Sequence, residues 1–270
     1  MNVREIAFCG DGESFERFLP ILKQCHTALK YLRIATLNDG NASEYLGLVG
    51  VQLYGLKTLD VSGLIISEDE WDTVFMNCSN VEHLYLGIIT DDVAVERIIK
   101  AITSFMKQLR TLQLKDYGFI TYLGHPGVCN NLHLLSQLSQ LESLYLSYIC
   151  CASHALLDLC EIKSLRYLSL NMGSHRRCVN VKEFEAFVNK LKMMESNIHT
   201  LSIVSSYTLN DSILKQLGQV KSISSLVLQR VPTITDDGIN AFISNDERTK
   251  KTATVYNCRN VSRSGVWEQI

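Results

Sequence analysis

The sequence predicts an α/β solenoid in which parallel strands alternate with helices along the whole chain. Three observations carry that prediction. An apolar-x-x-apolar-x-apolar phrase recurs ten times, leucine reaches 37 of 270 residues, and only 3 prolines occur, against a usual share of about 5%. The phrase appears as Val3-Ile6-Phe8, Leu29-Leu32-Ile34, Leu56-Leu59-Val61, Val81-Leu84-Leu86 and Leu109-Leu112-Leu114. It continues as Leu141-Leu144-Leu146, Leu165-Leu168-Leu170, Ile198-Leu201-Ile203, Ile223-Leu226-Leu228 and a degraded Lys250-Ala253-Val255. The first positions are spaced 26, 27, 25, 28, 32, 24, 33, 25 and 27 residues. A near-regular period of that size marks a stacked repeat architecture.

Each element follows from its own pattern. The centre of every phrase, x-L-x-L-x, alternates apolar and variable residues, which is the period of a half-buried strand. Between phrases, Val181, Phe184, Phe187, Val188, Leu191 and Met194 keep three-and-four spacing, as do Ile213, Leu214 and Leu217, so helices are expected there. A strand then a helix, always in that order, makes the strands parallel, with the sheet on a concave face and the helices on a convex one. One such unit cannot cover its own apolar face, and stacking makes the core continuous. This is the pattern of a leucine-rich repeat, and residues 1–270 are expected to form a single domain of about ten repeats. Residues 256–270, through Val261, Val266 and Trp267, are expected to cap the C-terminal edge. The first repeat starts almost bare at Val3. Its open strand edge predicts a further module, a partner, or an edge-to-edge dimer at the N-terminal repeat.

Two late copies narrow the repeat type. Leu228-Gln-Arg-Val-Pro-Thr-Ile-Thr-Asp-Asp-Gly238 and Val255-Tyr-Asn-Cys-Arg-Asn-Val-Ser-Arg-Ser-Gly265 resemble the L-x-x-C-x-x-I-T-D-x-G line of cysteine-containing leucine-rich repeats. Those repeats occur in F-box-LRR proteins and the related antagonist-of-mitotic-exit family. Cys258 stands in the cysteine slot, while Val231 and Ser206 replace it in their copies. Asn77-Cys-Ser-Asn-Val-Glu-His-Leu-Tyr-Leu86 is similar to the phrase that precedes strands in that family. The resemblance implies a substrate-recognition or adaptor component linked to a ubiquitin ligase, with a cullin-ligase component as a possible partner. An F-box would need about 45 residues ahead of the repeats, and the repeats begin at Val3. On that absence rests the alternative, a stand-alone scaffold or inhibitor that binds one protein.

Composition excludes other classes. Lys and Arg total 26 against 28 for Asp and Glu, a net charge of −2, so nucleic acid, which demands a basic face, is not an expected partner. No apolar run reaches the ~18 residues of a membrane span, so no membrane partner is expected. The N-terminus lacks a signal-peptide core, and nine scattered cysteines do not suggest a disulfide scaffold. The chain is expected in the cytoplasm, the nucleus or both. Asn-x-Ser occurs at Asn41, Asn77, Asn210 and Asn260 and is ascribed to chance. No cofactor and no metal are expected, because His175-Arg-Arg-Cys178 and Cys150-Cys151 with His154 lack the paired ligand spacing of a zinc site. Without a nucleophile motif the chain is not expected to be an enzyme. Gly10-Asp-Gly12 and Gly124-His-Pro-Gly127 are expected as turns. Pro20–Leu29 loosely matches an elongin C box, with Ile21 where leucine is required, but the helix-to-strand phrase of a repeat explains Cys25 and Leu29 without a further assumption and is the expected reading.

The variable strand positions should line the exposed face of the sheet. Those expected to bind a protein partner are Tyr31, Arg33, His83, Tyr85, Gln113, Lys115, Tyr145, Tyr167 and Asn171. Tyr and Arg dominate binding hot spots, although tyrosine also simply suits a strand. The longer repeats carry Tyr117–Gly127 and Gly173–Cys178 as insertions that either bind or are neutral.

Overall fold

The computed structural model of the chain describes residues 3–35, 51–66, 71–88, 92–116, 128–129, 131–147, 150–151, 153–172, 179–244 and 250–268. All ten phrases become strands. They are β1 (Glu5–Cys9), β2 (Tyr31–Ala35), β3 (Thr58–Ile66), β4 (His83–Ile88) and β5 (Thr111–Asp116), followed by β7 (Ser143–Ser147), β9 (Tyr167–Asn171), β10 (Thr200–Val204), β11 (Ser225–Gln229) and β12 (Thr252–Tyr256). Two short strands, β6 (Val128–Cys129) and β8 (Cys150–Cys151), pair with each other in a separate parallel ladder.

The described residues fall into two compact units, one within Met1–Gly127 and Gln137–Leu141, the other within Val128–Ser136 and Glu142–Ile270. In the first unit β1 to β5 lie in chain order, each parallel to the next. In the second, β7, β9, β10, β11 and β12 do the same. Register follows the leucine column. Leu32 pairs with Leu59, Leu59 with Leu84 and Leu84 with Leu112, while Leu144, Leu168, Leu201, Leu226 and Ala253 form the matching column of the second unit. Every member is fully buried. A slip of one residue would turn the whole column to solvent, so burial fixes the register. The chain is built as an α/β leucine-rich-repeat solenoid.

Helices α1 (Gly12–Cys25), α2 (Trp71–Asn77), α3 (Asp92–Phe105), α4 (Ser153–Asp158), α5 (Val181–Met193), α6 (Asp211–Gly218) and α7 (Asp236–Ile243) occupy the connections. Gly10-Asp-Gly12 is more than a turn. Asp11 caps α1 by accepting the Ser14 N–H at 2.8 Å, and those bonds to Ser14 hold its carboxyl below the ordinary aspartate range. In α5, Asn180 and Glu183 form a reciprocal capping box, at 3.0 and 2.9 Å. This helix buries Phe184, Phe187, Val188 and Leu191. Val181, expected in that apolar stripe, is exposed instead; it is the first residue of the helix, one turn ahead of the buried Phe184. The repeat between β5 and β7 uses a 3-10 turn, Leu132–Gln137, in the described part of the connection. Leu132 and Leu135 are both buried there, as three residues per turn aligns positions i and i+3.

The I-T-D-x-G line has a direct physical cause. The Asp211 carboxylate, in the first turn of α6, reaches the next repeat and accepts both the Thr235 N–H at 2.9 Å and the Thr235 hydroxyl at 2.7 Å. It passes so close to α7 that a Cβ on Gly238 would lie 2.1 Å from Asp211 Oδ1. Thr235 and Gly238 are therefore the two halves of one inter-repeat staple. One repeat later, Asp236 Oδ1 accepts the Ser262 N–H at 2.8 Å. The cysteine slot serves a similar end. Buried Cys258 Sγ accepts the Val231 N–H at 3.4 Å, and Ser206, in the equivalent place, accepts the N–H groups of Thr208 and Leu209 at 3.2 and 3.3 Å. A small buried acceptor there satisfies loop donors that would otherwise be orphaned.

The C-terminal edge is covered by β13 (Gly265–Glu268), antiparallel to β12. Trp267 pairs with Ala253 on the core side and is buried, with the Arg263 guanidinium 4.6 Å from its ring centre. Val266 and Val261 do not bury their side chains in this cap as Trp267 does. Val266 pairs with Thr254 on the solvent side and is 57% exposed, the alternation of a strand having turned it outward, and Val261 is half-buried. At the other end, β1 keeps Ile6 and Phe8 only half-buried. The Phe8 ring lies 5.3 Å from Phe15 and 5.2 Å from Phe18.

Candidate recognition face

Parallel register turns the variable strand positions into a grid. In the first unit one row runs Glu5, Tyr31, Thr58, His83, Thr111, and the next runs Ala7, Arg33, Asp60, Tyr85, Gln113. Lys115 sits one row further, paired with Gly87. In the second unit Ser143, Tyr167, Thr200, Ser225 and Thr252 share a row, with Tyr145, Ser169, Ser202, Val227 and Thr254 in the next. Asn171 follows, between Ser147 and Val204. Neighbours along a row are about 4.8 Å apart, so each unit presents its residues as one surface.

The first unit gathers Tyr31, Arg33, His83 and Tyr85 around Asp60, which sequence reasoning did not single out. Arg33 Nε lies 3.4 Å from Asp60 Oδ2, with side chains 54% and 17% exposed. Asp60 Oδ1 also accepts the Ser62 N–H at 3.1 Å and the Ser62 hydroxyl at 2.7 Å, so the carboxylate is held and in turn orients the arginine. Solvent screening leaves that ion pair worth under about 1 kcal/mol, so its main effect is placement. His83 Nδ1 is 3.0 Å from Thr111 Oγ1. Burial, with the nearby Asp60 charge, raises the Tyr85 hydroxyl above the ordinary tyrosine range, leaving a neutral donor at physiological pH. Gln113 and Lys115 extend the grid along β5 and are half-buried.

In the second unit Tyr145 and Tyr167 form a ring pair, 5.0 Å between centroids at 35°. Beyond it the face carries only Ser, Thr and Val until Gln229 and Tyr256. Tyr256 is 48% exposed.

A second arrangement emerges from the position just before each strand. In the first unit these residues are Arg4, Lys30, Lys57, Glu82 and Arg110. Their backbones form one ladder: Lys30 N–H to Arg4 O at 2.7 Å, Lys57 to Lys30, Glu82 to Lys57 and Arg110 to Glu82, each 2.8 Å. Lys57 Nζ lies 2.6 Å from Glu82 Oε1, and that bond holds Glu82 below the ordinary glutamate range. Aligning one further column of the repeat would have disclosed the row in the sequence.

The other sequence candidates resolve differently. Of the Pro20–Leu29 phrase, Cys25 and Leu29 are fully buried while Ile21 is 44% exposed. Its anchors belong to the repeat core rather than to a partner. Burial pushes the Cys78 and Cys160 thiols up to about 12 and raises that of Cys258 as well, so none is a thiolate at neutral pH. Among the described residues no cluster of His, Cys, Asp and Glu has the makings of a metal site. No described helix is long and apolar enough to cross a membrane. Tyr117–Gly127 and Gly173–Cys178, with the Gly124–Gly127 turn and His175–Cys178, lie outside the described residues, as do the side chains of Cys150, Cys151 and His154.

Fold and face together define a leucine-rich-repeat protein. The sequence matches no protein-family model and no curated protein. Among solved structures it is similar to internalin C2 of Listeria monocytogenes, at 18% identity over 67% of this chain and 64% of that one, with a TM-score of 0.40. It is similar also to internalin F of the same organism, at 12% identity over 88% and 70% of the respective chains, with a TM-score of 0.45.

Proposed function

We propose that the chain is a non-catalytic recognition module that binds a protein partner on the open face of its strands. The observation that carries this is the clustering of Tyr31, Arg33, His83 and Tyr85 around a fixed Asp60, on a face that no described helix covers. Large side chains with polar tips, held in place before binding, lose little freedom when a partner seats on them. Tyr145 and Tyr167 supply a second such patch in the other unit. The finer reading is a substrate-recognition or adaptor component of a ubiquitin ligase. It draws on the Ile234–Gly238 line and its Asp211 staple, the feature shared with cysteine-containing repeats. The buried Cys25 and Leu29 lend it nothing.

The test is affinity capture from cell extract with the wild-type chain, Tyr85→Ala, Tyr145→Ala and Met193→Ala, the last altering an exposed position on α5. The two tyrosine variants should lose a specific captured protein, by about 2 kcal/mol or roughly 30-fold in affinity. Met193→Ala should retain it. Equal capture by all four would remove the open face from recognition. A cullin among the captured proteins would favour the ligase reading, and one stoichiometric protein without it a scaffold or inhibitor.

A further inference from the structure

We infer that the basic row at the strand starts of the first unit, Arg4, Lys30, Lys57 and Arg110, takes an acidic segment of the protein partner. The inference rests on the protein-recognition reading and adds the chemistry of what is recognised. Four exposed cations share the row with one carboxylate, Glu82, which Lys57 meets at 2.6 Å and whose charge Arg110 also feels, so Arg4 and Lys30 carry most of what the row offers a ligand. This happens in a chain whose net charge is −2, so the cations are concentrated rather than spread.

The backbone ladder from Arg4 to Arg110 fixes their spacing. Strands about 4.8 Å apart carry the row over roughly 19 Å. An extended peptide turns alternate side chains to one side every ~6.7 Å, and flexible Lys and Arg stems bridge the difference. Lys30 Nζ gives one hydrogen bond to Gly55 O at 3.0 Å, leaving two of its three donors for a ligand. The row lies one residue before Tyr31 and, by the alternation of a strand, on the other side of the sheet from it, so a segment bound there runs along the rim at the strand starts, beside the open face rather than on it.

The second unit shows that the fold does not require this. Its corresponding positions are Glu142, Arg166, His199, Ser224 and Lys251, and Lys251 is buried. A phosphate backbone is a poorer occupant than an acidic segment. The basic band is one residue wide, whereas a phosphate backbone needs a broad basic face.

The probe is a short fluorescein-labelled peptide of alternating glutamate and serine, titrated against the full chain at rising sodium chloride. Oligothymidylate and phosphatidylserine-containing vesicles serve as competing probes. The peptide should bind, weaken as salt rises, and lose about fourfold in affinity with either Arg4→Gln or Lys30→Gln and more than tenfold with both. Arg166→Gln should change nothing. Thermal melts confirm that the variants fold, and the neutral substitutions disturb no buried group. Binding that ignores Arg4 and Lys30, or no binding at all, would overturn the inference, as would tighter binding of the oligonucleotide or the vesicles. The tyrosine variants decide the parent reading separately. Peptide binding without partner loss in Tyr85→Ala would sink the open face and keep the row, and the reverse pattern would do the opposite.

Discussion

Lys30 and Lys251 hold the same register position, immediately before a strand, one in each unit. Lys30 stands exposed in a row of cations. Lys251 is 1% exposed, donates to the carbonyl oxygens of Val220 at 2.9 Å and Ile223 at 2.5 Å, and lies 5.4 Å over the Phe242 ring. The open faces divide in the same sense. The first unit presents tyrosines, an arginine and an ion pair, whereas the last three parallel strands of the second present mostly Ser, Thr and Val. One repeat column can thus stand exposed in one place and hold the stack together in another. The strand ladder sets position only, and burial decides use.

The sharpest way to break this comparison is to remove both lysines. Lys251→Ala leaves a cavity in the core and takes the donor away from two buried carbonyls, so it should cost about 3 kcal/mol or more. Lys30→Ala removes an exposed side chain with one hydrogen bond and should cost under about 1 kcal/mol. Denaturant titration of each variant measures both. Equal losses would mean that Lys30 is as structural as Lys251, and would also undercut its assignment to a ligand.

A smaller effect is expected at the staple. Gly238→Ala places a methyl group against the Asp211 carboxylate, which must then give up the Thr235 bonds or push α7 aside. A loss of about 2 kcal/mol is expected by thermal melting. Asp211→Ala should cost a similar amount, and in the double variant the clash disappears. The two effects should therefore fail to add, by about 1 kcal/mol. Simple additivity would show that Asp211 is not what excludes a side chain at position 238.

The sequence disclosed the strands far better than the loops and the charges. Ten strands were legible because a buried leucine column imposes a strict two-residue period, as at Leu32, Leu59 and Leu84. Tyr31, Arg33, His83 and Tyr85 could be placed on the open face for the same reason. Asp60 was missed because its importance lies in contacts with Arg33 and Ser62, and no periodicity reports a contact. Lys30 and Arg110 were missed because net charge averages away a local row. Val266 was misplaced because its pairing with Thr254 turns it to the solvent side of β13, and apolar character alone does not say which face a residue takes.

The smallest effect concerns the ends of the strands in the second unit. Ser205, Arg230 and Asn257 each follow a strand and adopt left-handed backbone, with φ of 54°, 55° and 53°. The geometry lets Ser205 N–H reach Gln229 O at 2.8 Å and Arg230 N–H reach Tyr256 O at 3.0 Å, carrying the inter-repeat ladder past the last strand residue. Asn257 tolerates this region well, but serine and arginine do so at a steric cost. Glycine removes that cost while enlarging the unfolded ensemble, so the gain is partial. Ser205→Gly and Arg230→Gly should each stabilise the protein by about 0.5–1 kcal/mol, and Asn257→Gly by less. Destabilisation by Arg230→Gly would show that its side chain supports the stack by more than its strained backbone costs. The second unit would then rely on long charged side chains after its strands, as the first displays them before its own.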